Sequence, residues 1–399
     1  SKSTSRMTSY SSSVSRIGLV FSHPLGQKVS ICGAPQIRRH RGGLGMDDFL
    51  LLFSVYTDYN ISRRKINTDF LKAAVMLISE LCVGCMSFGK AGTMHDWTLD
   101  EGESEKVISH ALDLGINFFD SANCYSQGTS EEYLGKALKK LTQREKVVIA
   151  SKVYFNEGRL SKAAIEHEID GTLKRLGTDY LDLYIIHRFD YDTPIEETME
   201  ALDWLVKVGK VRALGASAMY GYQFHNMQIA ARDNGWTQFS TMENHYNLLY
   251  REDEKELIPI CRQMNVSLMP YSPLAAGHLA RPQWRSDSLR SKTDRVAMGK
   301  YDRMEKYDEQ IVKRVAEVAE KHGCKMSQVA IAWQWAKGVC APIIGATKTR
   351  YLDDAAGAFD VKLTNEDIAY LEELYVPHYT VGAIDKNPPQ NVVLLDEKK

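Results

Sequence analysis

Eight short apolar runs, alternating with stretches of helical periodicity, restrict this chain to a parallel sheet wrapped by helices. The runs lie in Leu77–Gly89, Ile116–Phe119, Val147–Ser151, Tyr180–Ile186, Val211–Ser217, Phe239–Glu243, Val266–Tyr271 and Ala341–Gly345. Most are rich in β-branched, aromatic or small residues, the character of strands buried on both faces. Between them, Ser161–Leu176, Ile195–Val208 and Glu254–Met264 carry apolar residues at helical spacing. Strands separated by helices of roughly 10–15 residues pair in parallel through crossovers. Eight such units predict an α/β fold, a closed (β/α)8 barrel of the TIM type. An open doubly wound sheet would want a GxGxxG turn after its first strand, and none is present.

Three successive runs end on residues that handle protons. Ile116–Phe119 runs into Asp120, with Tyr125 five residues later. Val147–Ser151 runs into Lys152, and Tyr180–Ile186 ends on His187-Arg188. Loops at the carboxyl ends of parallel strands are where such folds keep their chemistry. A phenol near pKa 10 is a weak acid at neutral pH unless a cation lowers its pKa, and Lys152 is placed to do so. After Tyr125, Thr129-Ser130-Glu131-Glu132 reads as a capping box, with Thr129 as N-cap and Glu132 reaching back.

The segments GINFFDSANCY and YIIHRFD, with Lys152 between them, strongly resemble the aldo-keto reductases. The resemblance covers roughly residues 77–382 and is nearest to a bacterial and fungal branch that includes YajO-like reductases. It implies a catalytic tetrad of Asp120, Tyr125, Lys152 and His187. Tyr125 would protonate a carbonyl oxygen, Lys152 would lower its pKa, and Asp120 would hold Lys152 charged. His187 would orient the carbonyl through a hydrogen bond. The hydride must come from a cofactor, and the resemblance implies NADPH/NADP+ lying across the barrel mouth. Met86 would approach that cofactor from the first strand. Tyr271, in a YSPL motif, would stack on the nicotinamide, with Ser272, Leu274 and Gly277 along the pyrophosphate. Gly345, Thr347 and Lys348 would hold the adenosine 2′-phosphate.

The chain departs from the family near the nicotinamide carboxamide, where Ser, Asn and Gln become Ser217, Ala218 and Glu243. An ionised Glu243 cannot donate a hydrogen bond and would favour the cationic, oxidised ring. On the adenine side a Gln and an Asn become Tyr351 and Ala355, while Asp354 keeps the acidic position. Phe88, Trp97, Tyr154, Arg188 and Tyr191 are the expected substrate wall, suited to a small-molecule carbonyl, either a medium-sized aldehyde or a sugar-derived carbonyl. The expected function is NADP-dependent reduction of an aldehyde or ketone. The alternative is a cofactor-binding redox sensor or regulatory subunit, like the potassium-channel β subunits that share the tetrad.

The net charge of −1 gives no reason to expect a nucleic-acid partner, and no stretch reaches the ~18 apolar residues of a membrane span. Seven cysteines in so long a chain suggest a reducing compartment, the cytoplasm, without a disulfide framework. Cys82 and Cys85 lie inside an apolar run and read as small core residues, so no metal site is expected. Residues 1–75 hold 11 Lys/Arg against 4 Asp/Glu. They form a basic, Ser-rich leader, unstructured or organelle-targeting. Residues 76–399 are the barrel with a C-terminal helix at Thr364–Tyr375 and a tail. The family's floor hairpin lacks a recognisable first arm. Ala275–Tyr301, between the seventh strand and its helix, reads as a long insert at the catalytic face. No feature selects an oligomeric state.

Overall fold

The computed structural model describes residues 18–20, 76–287 and 289–381. The rest of the leader and the end of the tail lie outside them. Among the described residues the strands are β1 (Gly18–Val20), β2 (Met76–Ile78), β3 (Cys82–Gly84), β4 (Phe118–Asp120), β5 (Val148–Val153), β6 (Leu181–Ile186), β7 (Val211–Ser217), β8 (Phe239–Glu243), β9 (Ser267–Leu268) and β10 (Ile343–Gly345). Strands β3 to β10 form one parallel sheet in the order β10-β3-β4-β5-β6-β7-β8-β9. The sheet curls until its edges meet: Cys340 N donates to Leu268 O at 2.9 Å and Ile343 N to Pro270 O at 3.0 Å. The eight-stranded (β/α)8 architecture expected from the sequence is present.

Strands β5 and β6 are buried along their whole length, as parallel strands covered on both faces must be. Their residues divide by the two-residue period of the strand. Val148, Ala150, Leu183, Ile185, Ala213, Phe118, Cys82 and Ile343 fill the barrel interior. Ile149, Tyr184, Ile186, Leu214 and Phe119 pack outward, against a ring of helices. Helix positions follow local chemistry. Ser161 Oγ accepts from Ala164 N at the start of Lys162–Leu176, and Thr364 with Asp367 forms a capping box at Asn365–Glu372.

The capping box expected at Thr129 does not form. The helix Thr129–Leu141 has Gly128 as N-cap, at φ 88°, with no side-chain cap. Thr129 Oγ1 instead accepts from Lys90 N and donates to Ser126 O, tying the helix start to the loop after β3. Glu131, not Glu132, turns inward. Fully buried, it accepts from Ser151 Oγ and Arg175 Nε, both at 2.5 Å.

The missing hairpin arm is found at Gly18–Val20, which pairs antiparallel with β2, Gly18 opposite Ile78. Ile78 joins the innermost barrel cluster, so β2 covers the floor. Also near the floor, Asp182 binds Arg144 at 2.7 Å, Arg212 at 3.0 Å and the backbone N–H of Ile149 at 3.0 Å. The insert folds into two short helices, Leu289–Thr293 and Arg295–Tyr301. Cys340 is disulfide-bonded, against the expectation of free thiols, while Cys82, Cys85, Cys124, Cys261 and Cys324 are free.

Candidate active site

The inward alternation of the strands determines which side chains reach the mouth. Val148 and Ala150 point into the barrel, and two residues further along β5 the next inward position is Lys152. Phe118 leads in the same way to Asp120, Leu183 and Ile185 to His187, Thr241 to Glu243, and Met269 to Tyr271. Polar groups from five strands therefore converge on one layer at the carboxyl end.

Lys152 is the centre of that layer and is fully buried. Its Nζ donates to Asp120 Oδ2 at 2.5 Å, to Ser121 O at 2.9 Å and to Tyr125 Oη at 3.3 Å. Glu243 Oε2 lies 3.6 Å away. An ammonium has three N–H bonds, and three acceptors already use them. Glu243 Oε2 accordingly has no hydrogen-bond partner within the protein. The His187 ring stands edge-on to Tyr125, centroids 5.8 Å apart, and its Nδ1 lies 4.0 Å from Cys124 Sγ.

Burial opposes the Lys152 ammonium, but Asp120 and Glu243 outweigh it and hold its pKa well above the usual range. Burial lowers His187 far below 6.5, with Lys152 and Arg188 adding to the effect, so the imidazole is neutral. Burial also pushes the Glu243 carboxyl up to about 8, with Asp120 adding to the rise and Lys152 opposing it. Burial raises Asp120 too, but its direct hydrogen bond to Lys152 opposes the rise. Glu243, without such a bond, is the carboxyl that holds the proton, contrary to the ionised side chain expected from the sequence. The Tyr125 phenol is raised as well: desolvation exceeds the pull of Lys152, whose charge is shared with two carboxyls. The lowered phenol pKa expected from sequence is thus not found.

Beside this layer, Tyr271 stacks on His245 at 5.3 Å between centroids and 7° between planes. Lys300, from the insert, places its Nζ 4.7 Å from the centre of the Tyr271 ring. Ser272, Ala275 and Ala276 adopt positive φ, at 56°, 48° and 55°, followed by Gly277 at 97°. Strain of this kind at non-glycine residues costs of order 1–3 kcal/mol each and clusters at ligand sites. The turn borders a small cleft of about 30 Å³ lined by Ala276, His278, Arg281 and Trp284, with Arg285 and Arg290 paired to Asp302 and Asp294. An aromatic ring beside a turn of positive-φ residues that carries Arg281 is a donor set that fits a nicotinamide dinucleotide.

Of the other expected cofactor residues, Ser217 is buried and donates through Oγ to Glu243 O at 2.9 Å. Met86 is half-buried in the turn after β3, and Leu274 is half-buried against the core. Gly345 is exposed, Thr347 half-buried and Lys348 exposed as N-cap of Thr349–Ala356. Tyr351 is exposed, and Asp354 is paired with Lys325.

Among the expected wall residues, Phe88 is fully buried in the core. Trp97 stacks on His95 at 4.6 Å and lies under the Arg290 guanidinium at 4.4 Å, linking the loop after β3 to the insert. Tyr154 and Arg188 both meet Phe155, and Tyr191 Oη accepts from Gln223 Nε2 at 2.9 Å. Sequence reasoning missed Phe155, whose ring is 5.0 Å from His187. Its place one residue after Tyr154 was the available signal. It also missed Lys300, His245 and Tyr301, for which no local signal exists. Tyr301 Oη lies 2.8 Å from His245 Nε2 and accepts from Asn247 Nδ2 at 3.1 Å, anchoring the insert.

A solved structure first gives the class. The fold matches that of a thermostable aldo-keto reductase in complex with the inhibitor epalrestat, with a TM-score of 0.60 and 27% identity, over 75% of this chain and 96% of that one. The architecture is that of a barrel oxidoreductase. The model of the Aldo/keto reductase family matches residues 80–376, and the chain belongs to that family, whose members use nicotinamide cofactors. Fungal relatives include versiconal hemiacetal acetate reductase of Aspergillus parasiticus, 42% identical over 75% of this chain and 94% of that protein. Aldo-keto reductase AMT2 of Alternaria alternata is 40% identical over 75% of this chain and 89% of its own length. Among the described residues no helix is long and apolar enough to cross a membrane, and no group of His, Cys, Asp and Glu could hold a metal ion.

Proposed function

We propose that this protein is an NADPH-dependent reductase of aldehydes or ketones in which Tyr125 is the general acid. The observation that carries the reading is the contact of Tyr125 Oη with Lys152 Nζ at 3.3 Å, beside a neutral His187. The nicotinamide, when bound, supplies the hydride. The four side chains manage the oxygen. Neutral His187 has one N–H to donate and orients the carbonyl. Tyr125 delivers its proton as negative charge grows on that oxygen, since an alkoxide is a far stronger base than a phenolate. Lys152 stabilises the phenolate that results, and Asp120 holds Lys152 in place. The raised phenol pKa ensures that Tyr125 enters the reaction protonated.

For the cofactor, Tyr271 would carry the ring, the turn from Ser272 to Gly277 the pyrophosphate, and Thr347 with Lys348 the 2′-phosphate. Trp97, Tyr154, Phe155 and Tyr191 with Arg188 suit a medium-sized carbonyl compound with aromatic or polar substituents. The hemiacetal named in the Aspergillus relative is a cue to include oxygen-rich aldehydes in a substrate panel.

The test is Tyr125→Phe, which removes the proton donor and leaves the cofactor groups in place. Turnover of aldehydes, followed by NADPH absorbance, should fall by at least ~10²-fold. NADPH affinity, read by protein fluorescence, should change little. A Phe variant as active as wild type would refute the assignment.

A further inference from the structure

We propose that Glu243 is a positioning residue that sets the pH range over which Tyr125 can donate its proton, by entering or leaving the charge balance around Lys152. The inference rests on the reading of Tyr125 as general acid.

The geometry assigns the cluster one cation and two carboxyls. Asp120 holds a direct hydrogen bond to Lys152 at 2.5 Å, whereas Glu243, at 3.6 Å, finds all three N–H bonds taken. A proton shared between the two carboxyls therefore resides on Glu243. The groups facing Glu243 are Asp120 from β4, Tyr125 from the loop after it, Lys152 from β5, Arg188 after β6, Tyr271 after β9 and Cys82 from β3. Cys82, its pKa raised by burial, stays a thiol. The Tyr271 phenol is likewise raised by burial and stays protonated. Arg188, next to His187 in the chain, lies over the Phe155 ring.

With Glu243 protonated, Asp120 and Lys152 cancel, and the layer is neutral when Tyr125 begins to lose its proton. With Glu243 ionised, the layer carries an extra negative charge, in a site closed to water. The developing phenolate then meets a like charge. A buried like charge at this range shifts a neighbour by a pKa unit or more, which is about tenfold in a proton-transfer rate. Reduction should fall as pH rises through about 8, where Glu243 loses its proton. A role confined to packing would not produce that break.

The experiment compares wild type with Glu243→Gln, which keeps the shape and cannot ionise. The ratio of kcat at pH 9 to kcat at pH 7, with NADPH and a saturating aldehyde, should be about tenfold lower in wild type than in the variant. Superimposable profiles would overturn the inference. A second readout needs neither turnover nor the variant. Infrared pH-difference spectra of the protein with carboxyl-13C glutamate should show a protonated glutamate that is lost near pH 8. The label separates it from Asp253, another buried carboxyl raised to about 7. A glutamate signal absent at pH 7 would also overturn the inference. If no aldehyde is reduced at any pH, the proposed activity falls, and the infrared titration still decides the state of Glu243.

Discussion

Replacing Asp120 with Asn removes the closest counter-charge of the fully buried Lys152. Breaking a buried ion pair in this way ordinarily costs 3–5 kcal/mol, because the remaining charge is stranded. Here a second carboxyl waits at 3.6 Å. Once Asp120 is gone, Glu243 releases its proton and takes over the pairing. At an effective dielectric of about 20, unit charges 2.5 Å and 3.6 Å apart attract by about 7 and about 5 kcal/mol, so the exchange loses ~2 kcal/mol. Glu243→Gln alone keeps a neutral side chain in the fold and spares the proton uptake that folding requires at pH 7, so it should stabilise the protein rather than destabilise it. The double variant strands Lys152 and should lose the full ~3–5 kcal/mol relative to Glu243→Gln. The cycle therefore predicts a coupling of ~2 kcal/mol between the two sites, within the range found for residues of one network. Urea denaturation of the four proteins at pH 7, with matching slopes, measures it. Additivity within ~0.5 kcal/mol would refute the substitution of one carboxyl by the other.

The same proton makes stability depend on pH. The folded state keeps a proton on Glu243 up to about pH 8, while the unfolded chain loses it near 4.5. Between those values the folded state binds more protons, so this group's contribution falls as pH rises; wild type should lose ~1 kcal/mol or more relative to Glu243→Gln in that window, read by urea midpoints. Lys348→Ala should weaken NADPH binding ~10- to 100-fold, with NADH hardly affected, because only NADPH carries the 2′-phosphate; equal losses in a fluorescence titration would place Lys348 elsewhere. Gly135→Ala would put a Cβ 2.2 Å from Leu176 O, backbone against backbone between two barrel helices. It should destabilise by ~1–3 kcal/mol without altering the pH profile of turnover. A chain starting near Ala73 should still fold and bind NADPH, but it loses β1, so the bared edge of β2 should show as a lower melting temperature. An insoluble truncation would mean that the leader is structural.

The sequence by itself determined the barrel and marked Asp120, Tyr125, Lys152 and His187 as the expected catalytic residues. Both rest on local facts: an apolar run of strand length, its period of two, and the polar residue that ends it. Val211–Ser217 and Phe239–Glu243 appear with the bounds the sequence implied, because each is a continuous run with clear polar borders. Thr129 shows the limit of local pattern, since a capping sequence lost its role to a contact with Lys90, 39 positions away. The first floor strand was hidden for the same reason: three residues at Gly18 become a strand only by pairing with Met76–Ile78. Tertiary structure alone decided the charge states. That Glu243 stands 3.6 Å from Lys152, and that the ammonium has no N–H left for it, depends on residues from three strands meeting in a buried layer. Burial then makes one proton stay where water would have removed it, which no reading of neighbours along the chain can reveal.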